Sequence, residues 1–127
     1  MNLNWSGEKY EMLLASPREH QLVRDAIVEA SYVMGGLPDA DWVARLGRTK
    51  VEVEDFLGGW GKFLPSRNLS VAELELIRSC FVETLEFFSD EEYKMRMNWT
   101  KEESSVPFAG LLDDRRRITI DRQWGRA

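Results

Sequence analysis

Few residues in this chain of 127 have the type and spacing to do chemistry. It holds one histidine, His20, and one cysteine, Cys80. A Ser-His-Asp or Cys-His arrangement must use His20 or do without it. A structural zinc site needs about four N or S ligands, which this pair cannot supply. A lone cysteine makes no intrachain disulfide. His20 stands near the start of a helix and close to Leu22, and reads as an ordinary surface or half-buried side chain. Cys80 falls between Ile77 and Thr84 on an apolar helix stripe and reads as a small core residue.

The carboxylates form no convincing acid/base pair. Asp90-Glu91-Glu92 and Asp113-Asp114 are runs, and runs are usually solvated faces. A catalytic pair needs a pocket and one raised pKa. Gly58-Gly59-Trp60-Gly61 lacks the Lys-Ser/Thr ending of a phosphate cradle. No catalytic residue, metal site or cofactor is therefore expected, and the chain reads as a non-enzyme.

Asp39 to Phe56 resembles a helix-turn-helix, with Gly47 as the turn glycine. Trp42, Leu46, Val53 and Phe56 then fall where that motif buries apolar residues. Arg45, Arg48 and Lys50 gather at the start of the would-be recognition helix and are the candidate nucleic-acid contacts. Two features oppose DNA binding. Arg48 follows the glycine where the motif usually has an apolar residue. Glu52, Glu54 and Asp55 would meet phosphates.

Five tryptophans are many for this length: Trp5, Trp42, Trp60, Trp99 and Trp124. Trp is enriched at binding hot spots. The candidate partner-binding residues are Trp60 and Phe63 in the glycine-rich stretch, Trp99, Trp124, and the acidic Glu54 and Asp55. For Trp60 the preferred reading is a hinge packing two copies of a repeated unit together, with glycine allowing close approach, and an exposed anchor for a partner is the other.

These residues need elements to hold them. Ser16 to Ala30 aligns without gaps on Ser70 to Thr84, with six of fifteen pairs identical. Unrelated residues match about once in fifteen by composition. The alignment resumes at Trp42/Tyr93 and runs through Thr49-Lys50/Thr100-Lys101. This reads as a tandem duplication. Capping boxes begin at Ser16, Thr49, Ser70, Ser89 and Thr100, each with Glu three residues on. They predict helices over about 16–34, 39–46, 70–88 and 90–97, and third helices starting at Thr49 and Thr100. Gly47 and Asn98 suit the left-handed helix C-terminus. Pro107 predicts a stop or kink near Val106.

The expected fold is all-α. Two three-helix units, about 16–64 and 70–112, pack about a pseudo-twofold axis in one domain spanning 1–127. A short helix near 7–15 precedes them and an irregular basic tail, 113–127, follows. The aligned Glu29/Glu83 and Arg24/Arg78 are candidates for an ionic pair across that axis.

Net charge is −5, from 17 basic and 22 acidic residues. Residues 113–127 carry five basic and three acidic residues, so residues 1–112 stand at −7. An acidic body favours basic protein partners over nucleic acid. No run approaches the roughly 18 apolar residues of a membrane span. Met1 to Trp5 has no basic region before an apolar stretch, so no signal peptide is expected and the setting reads as cytoplasmic. The expected function is a small acidic protein-binding module that occupies a partner's surface, as an inhibitor, immunity-type protein or regulatory adaptor does. Its partner would be a protein with a basic surface, or a second copy of the chain. The alternative is a helix-turn-helix DNA-binding regulator using residues 42–56.

Overall fold

The N-terminal segment alternates inward and outward residues with a period of two. Tyr10, Met12 and Leu14 are buried while Glu11 and Leu13 are only partly so, the signature of a half-buried strand. The computed structural model of the chain describes residues 1–5, 7 and 9–113. It forms strands β1 (Asn2–Trp5) and β2 (Tyr10–Leu13), helices α1 (Pro17–Met34), α2 (Asp39–Leu46) and α3 (Lys50–Gly58), strand β3 (Ser66–Leu69), and helices α4 (Val71–Phe87), α5 (Asp90–Met97) and α6 (Lys101–Asp113). The strands make one antiparallel sheet in the order β1-β2-β3. Asn2 faces Leu13 and Trp5 faces Tyr10, while Tyr10 also faces Leu69 and Leu13 faces Ser66.

The all-α expectation is therefore corrected: the chain is mixed, with a three-stranded sheet beside its helices. The helix expected near 7–15 is β2 and the turn before it, where Gly7 takes φ 97. The tandem pair of three-helix units about a pseudo-twofold axis is unsupported as well. Two strands precede α1 and one precedes α4, and their sheet belongs to neither block of helices. Leu3 to Trp5 pairs with β2. The basic tail, including Trp124 and its arginines, lies outside the described residues.

The helix starts follow the capping chemistry. Thr49 and Ser70 each accept from the Glu three residues on, and that Glu accepts from the cap's own N–H. Thr100 and Glu103 bond reciprocally in the same way. Ser16 and Ser89 cap with the hydroxyl alone. Glu19 instead accepts from Ala15 and the N-terminal ammonium, and Glu92 from Arg96. Gly47 (φ 78) and Asn98 (φ 59) take the left-handed conformation and close α2 and α5.

One helix runs past its expected stop. Pro107 lies inside α6, which continues to Asp113. A proline interior costs about 3 kcal/mol. Here Pro107 and Phe108 are both buried, and the Phe108 ring stacks 3.9 Å from Phe81 of α4. That packing offsets the lost backbone bond.

α1 and α4 form the central helix pair, with the most extensive contact in the molecule. α3 and α5 pack on α1, α2 on α4, and α6 on α4, α5 and β1. Leu22, Val23, Ala26, Ile27, Leu76, Ile77, Cys80 and Phe81 fill the seam, with Trp42, Tyr93 and Met97 around it. Burial and the nearby Glu83 carboxylate push the Cys80 thiol up, so it stays protonated and unreactive. The Glu29 and Glu83 carboxylates are taken by α5 and α2, not by the arginines expected. Arg96 reaches Glu29 at 3.1 Å, and Arg45 binds Glu83 with two nitrogens. No helix among the described residues is long and apolar enough to cross a membrane.

Candidate functional site

The glycine-rich stretch after α3 turns Trp60 inward. Its side chain is 1% exposed, so the ring is part of this chain's own packing. The His20 ring stacks on it with centroids 5.6 Å apart, Phe56 approaches to 6.1 Å, and Phe63 meets His20 edge-on at 5.9 Å. The Arg67 guanidinium lies 4.1 Å over the opposite partner of this stack, the Trp60 ring, and donates to the carbonyls of Gly59 and Lys62 at 2.7 Å each. A side chain at Gly58 or Gly61 would meet nothing within 4 Å, so these glycines do not serve close approach between halves of the chain. Phe63 is half-buried against the core. Trp99 is also half-buried and lies under the Arg18 guanidinium at 3.7 Å.

His20 is buried, not the surface or half-buried residue expected. Burial lowers its pKa, and the Arg67 charge lowers it further. The unfolded chain therefore binds a proton that the folded chain resists. Stability is full above the ordinary histidine pKa of about 6.5 and falls as pH drops from there through the lower folded value. His20 is the only histidine. Urea unfolding at pH 7 and pH 5 is expected to show lower stability at pH 5. His20→Gln is expected to flatten that difference; an unchanged slope would show that other groups cause it.

Exposed apolar side chains are spread over several elements, Val51 of α3 and Val106 of α6 among them, and the large Tyr32, Phe87 and Met95 stand at the ends of α1 and α4 and on α5. Tyr32 is 61% exposed, Phe87 59% and Met95 80%. Arg96 of α5 lies beside two of the aromatic rings there. Its guanidinium lies 4.5 Å from the Tyr32 ring centroid and 4.8 Å from that of Phe88, whose ring meets Phe87 at 5.1 Å. Glu92 and Glu29 clamp the same guanidinium at 2.9 and 3.1 Å, and their hydrogen bonds hold it more firmly protonated than usual. Met95, Arg96, Ser89, Glu91 and Glu92 line a surface hollow of about 410 Å³. Asp90, Glu91 and Glu92 are exposed around it. Sequence reasoning missed this face. Phe87 reads as core because it extends the apolar stripe of α4, yet the last turn of that helix rotates it to solvent.

The basic cluster is divided. Arg45 is tied to Glu83, while Arg48 is half-buried and Lys50 exposed at the start of α3. The outer face of α3 presents Glu52, Glu54 and Asp55, all exposed. Asp55 also lines a cavity of about 430 Å³ with Phe56, Trp60, Leu64, Arg67 and Glu73 among others. Trp60, Phe63 and Asp55 are thus brought to one end of the molecule. Trp99 stands apart from them, at the α5–α6 junction. No group of His, Cys, Asp and Glu among the described residues is arranged to hold a metal ion.

No family model, curated protein or solved structure matches this chain.

Proposed function

We propose that this chain is a small acidic protein-binding module of the cytoplasm, acting without catalysis by occupying a partner protein's surface. Inhibitors, immunity-type proteins and regulatory adaptors work in this way. The observation that carries the reading is the Tyr32–Phe87–Met95 face. Three large apolar side chains are exposed: Tyr32 beside a clamped arginine, Phe87 against the Phe88 ring that the same arginine approaches, and Met95 beside that arginine and carboxylates in the wall of a hollow. Apolar groups contribute affinity when a partner covers them. The acidic rim steers a basic partner and disfavours an acidic one. A second copy on this face would set Asp90, Glu91 and Glu92 near their own like charges, so a basic partner fits better than a homodimer. The Arg45–Glu83 pair and the acidic outer face of α3 support a protein partner over DNA.

The test is capture from nuclease-treated host lysate on the immobilised chain, with Phe87→Ala/Met95→Ala as control. Exposed truncations change stability by about 0.5 kcal/mol or less, so the variant stays folded. A stoichiometric protein held by the parent chain is expected to bind the variant at least about tenfold more weakly, since truncated hot-spot residues cost over about 1 kcal/mol each. Affinity is also expected to fall as salt rises. Equal capture by both chains, or recovery of nucleic acid alone when nuclease is omitted, overturns the reading.

A further inference from the structure

β3 is an edge strand, and its free side opens onto the cavity below α3. The Leu14 N–H donates to the Pro65 carbonyl at 2.9 Å. In an antiparallel ladder such bonded pairs alternate, so Arg67 and Leu69 turn their backbone groups to β2. Ser66 and Asn68 then turn theirs outward, and both residues are exposed. No fourth strand covers them among the described residues.

The cavity runs against this edge rather than over a face of the sheet. Arg67, Asn68 and Leu69 point alternately to opposite faces, yet all three line it. α3 and the turn after it line the cavity with Asp55, Phe56 and Gly59, and α4 lines it with Glu73. Leu64 and Phe56 offer apolar surface. The charge around it is acidic on balance: Asp55 and Glu73 line it with the single cation Arg67, whose two terminal nitrogens donate to the Gly59 and Lys62 carbonyls. Asp55 has no ion-pair partner among the described residues.

We propose that the β3 edge binds an extended, Lys- or Arg-bearing polypeptide segment of a partner as a fourth strand, with one apolar side chain seated on Leu64 and Phe56. Strand addition of this kind takes affinity from main-chain hydrogen bonds and specificity from pockets for alternate side chains. Two outward residues give few backbone bonds, each modest in net worth. The side-chain cavity is what makes so short an edge selective. This site is separate from the α5 face and does not rest on the function proposed above.

The probe is an acetylated, amidated alternating Lys-Val peptide of about eight residues, near the usual strand length. Its binding to the full chain is followed by amide NMR. Shifts are expected at Ser66 to Leu69 and around Asp55. An analogue N-methylated on the bonds of one edge is expected to bind about tenfold more weakly, as is a Glu-Val analogue. Asn68→Pro removes an outward N–H and no bond to β2, a position where proline is tolerated. It is expected to lose the peptide and keep its melting temperature. Phe87→Ala/Met95→Ala is expected to bind the peptide like the parent. No binding at millimolar peptide, shifts confined to α5, or full binding of the N-methylated analogue each overturns the proposal.

Discussion

A chain carrying Trp60→Ala is expected to lose about 3–5 kcal/mol of folding stability. The ring is 1% exposed and sits among three side chains, those of His20, Phe56 and Arg67. Removing it leaves a cavity whose walls come from α1, α3 and β3, three elements that cannot all close at once. It also strips the aromatic surface from beneath Arg67. The guanidinium then depends on the Gly59 and Lys62 carbonyls alone, within a turn that Trp60 itself anchors. Against a typical total of about 5–15 kcal/mol, this is a large share. Urea unfolding is expected to show a lower midpoint with an unchanged slope. A Trp60 that acted instead as a surface anchor would leave stability within about 0.5 kcal/mol and abolish partner capture. The two outcomes cannot be confused.

The same residue shows where the sequence is legible and where it is not. Helix starts are written locally. A hydroxyl with a glutamate three residues on satisfies amides that no other geometry reaches, so α1, α3, α4, α5 and α6 begin where Ser16, Thr49, Ser70, Ser89 and Thr100 place them. Strands are not local in this way. Tyr10, Met12 and Leu14 do alternate, but over so short a segment Tyr10 and Leu14 also suit one face of a helix. What makes this segment a strand is pairing on both sides, with Asn2 to Trp5 nearby and with Ser66 to Leu69, more than fifty residues away. No sequence spacing records the distant pairing. The orientation of Trp60 depends on it too, because Arg67 covers the ring from β3. Pro107 fails as a stop signal for the same reason. Its cost is local, and the Phe81–Phe108 stacking that offsets it is tertiary. Phe87 is the converse case. Its spacing fits the core stripe, and only the end of the packed helix pair exposes it.

Arg45→Met is expected to cost about 2–3 kcal/mol and to leave nucleic-acid affinity unchanged. The Glu83 side chain is 5% exposed, while that of Arg45 is 42% exposed. Two nitrogens of the guanidinium reach the carboxylate, one of them at 3.3 Å. Removing the arginine strands a negative charge inside the protein, beside the buried Cys80 whose thiol that charge already affects. Breaking a fully buried pair costs about 3–5 kcal/mol. Water reaches the exposed arginine head and screens part of the attraction, which places this pair lower. Adding Glu83→Leu to Arg45→Met is expected to recover most of the loss, because the stranded charge is what costs, and an apolar pair of similar volume is often neutral or better. A double-mutant cycle on thermal or urea unfolding then gives a coupling of about 2 kcal/mol. If Arg45 instead served to grip phosphate, Arg45→Met would leave stability nearly unchanged and weaken binding to duplex DNA at low salt, with a shallower salt dependence. The geometry favours the first result. A guanidinium already paired with a buried carboxylate must break that pair before it can neutralise a phosphate, and past Lys50 at its start α3 turns Glu52, Glu54 and Asp55 outward.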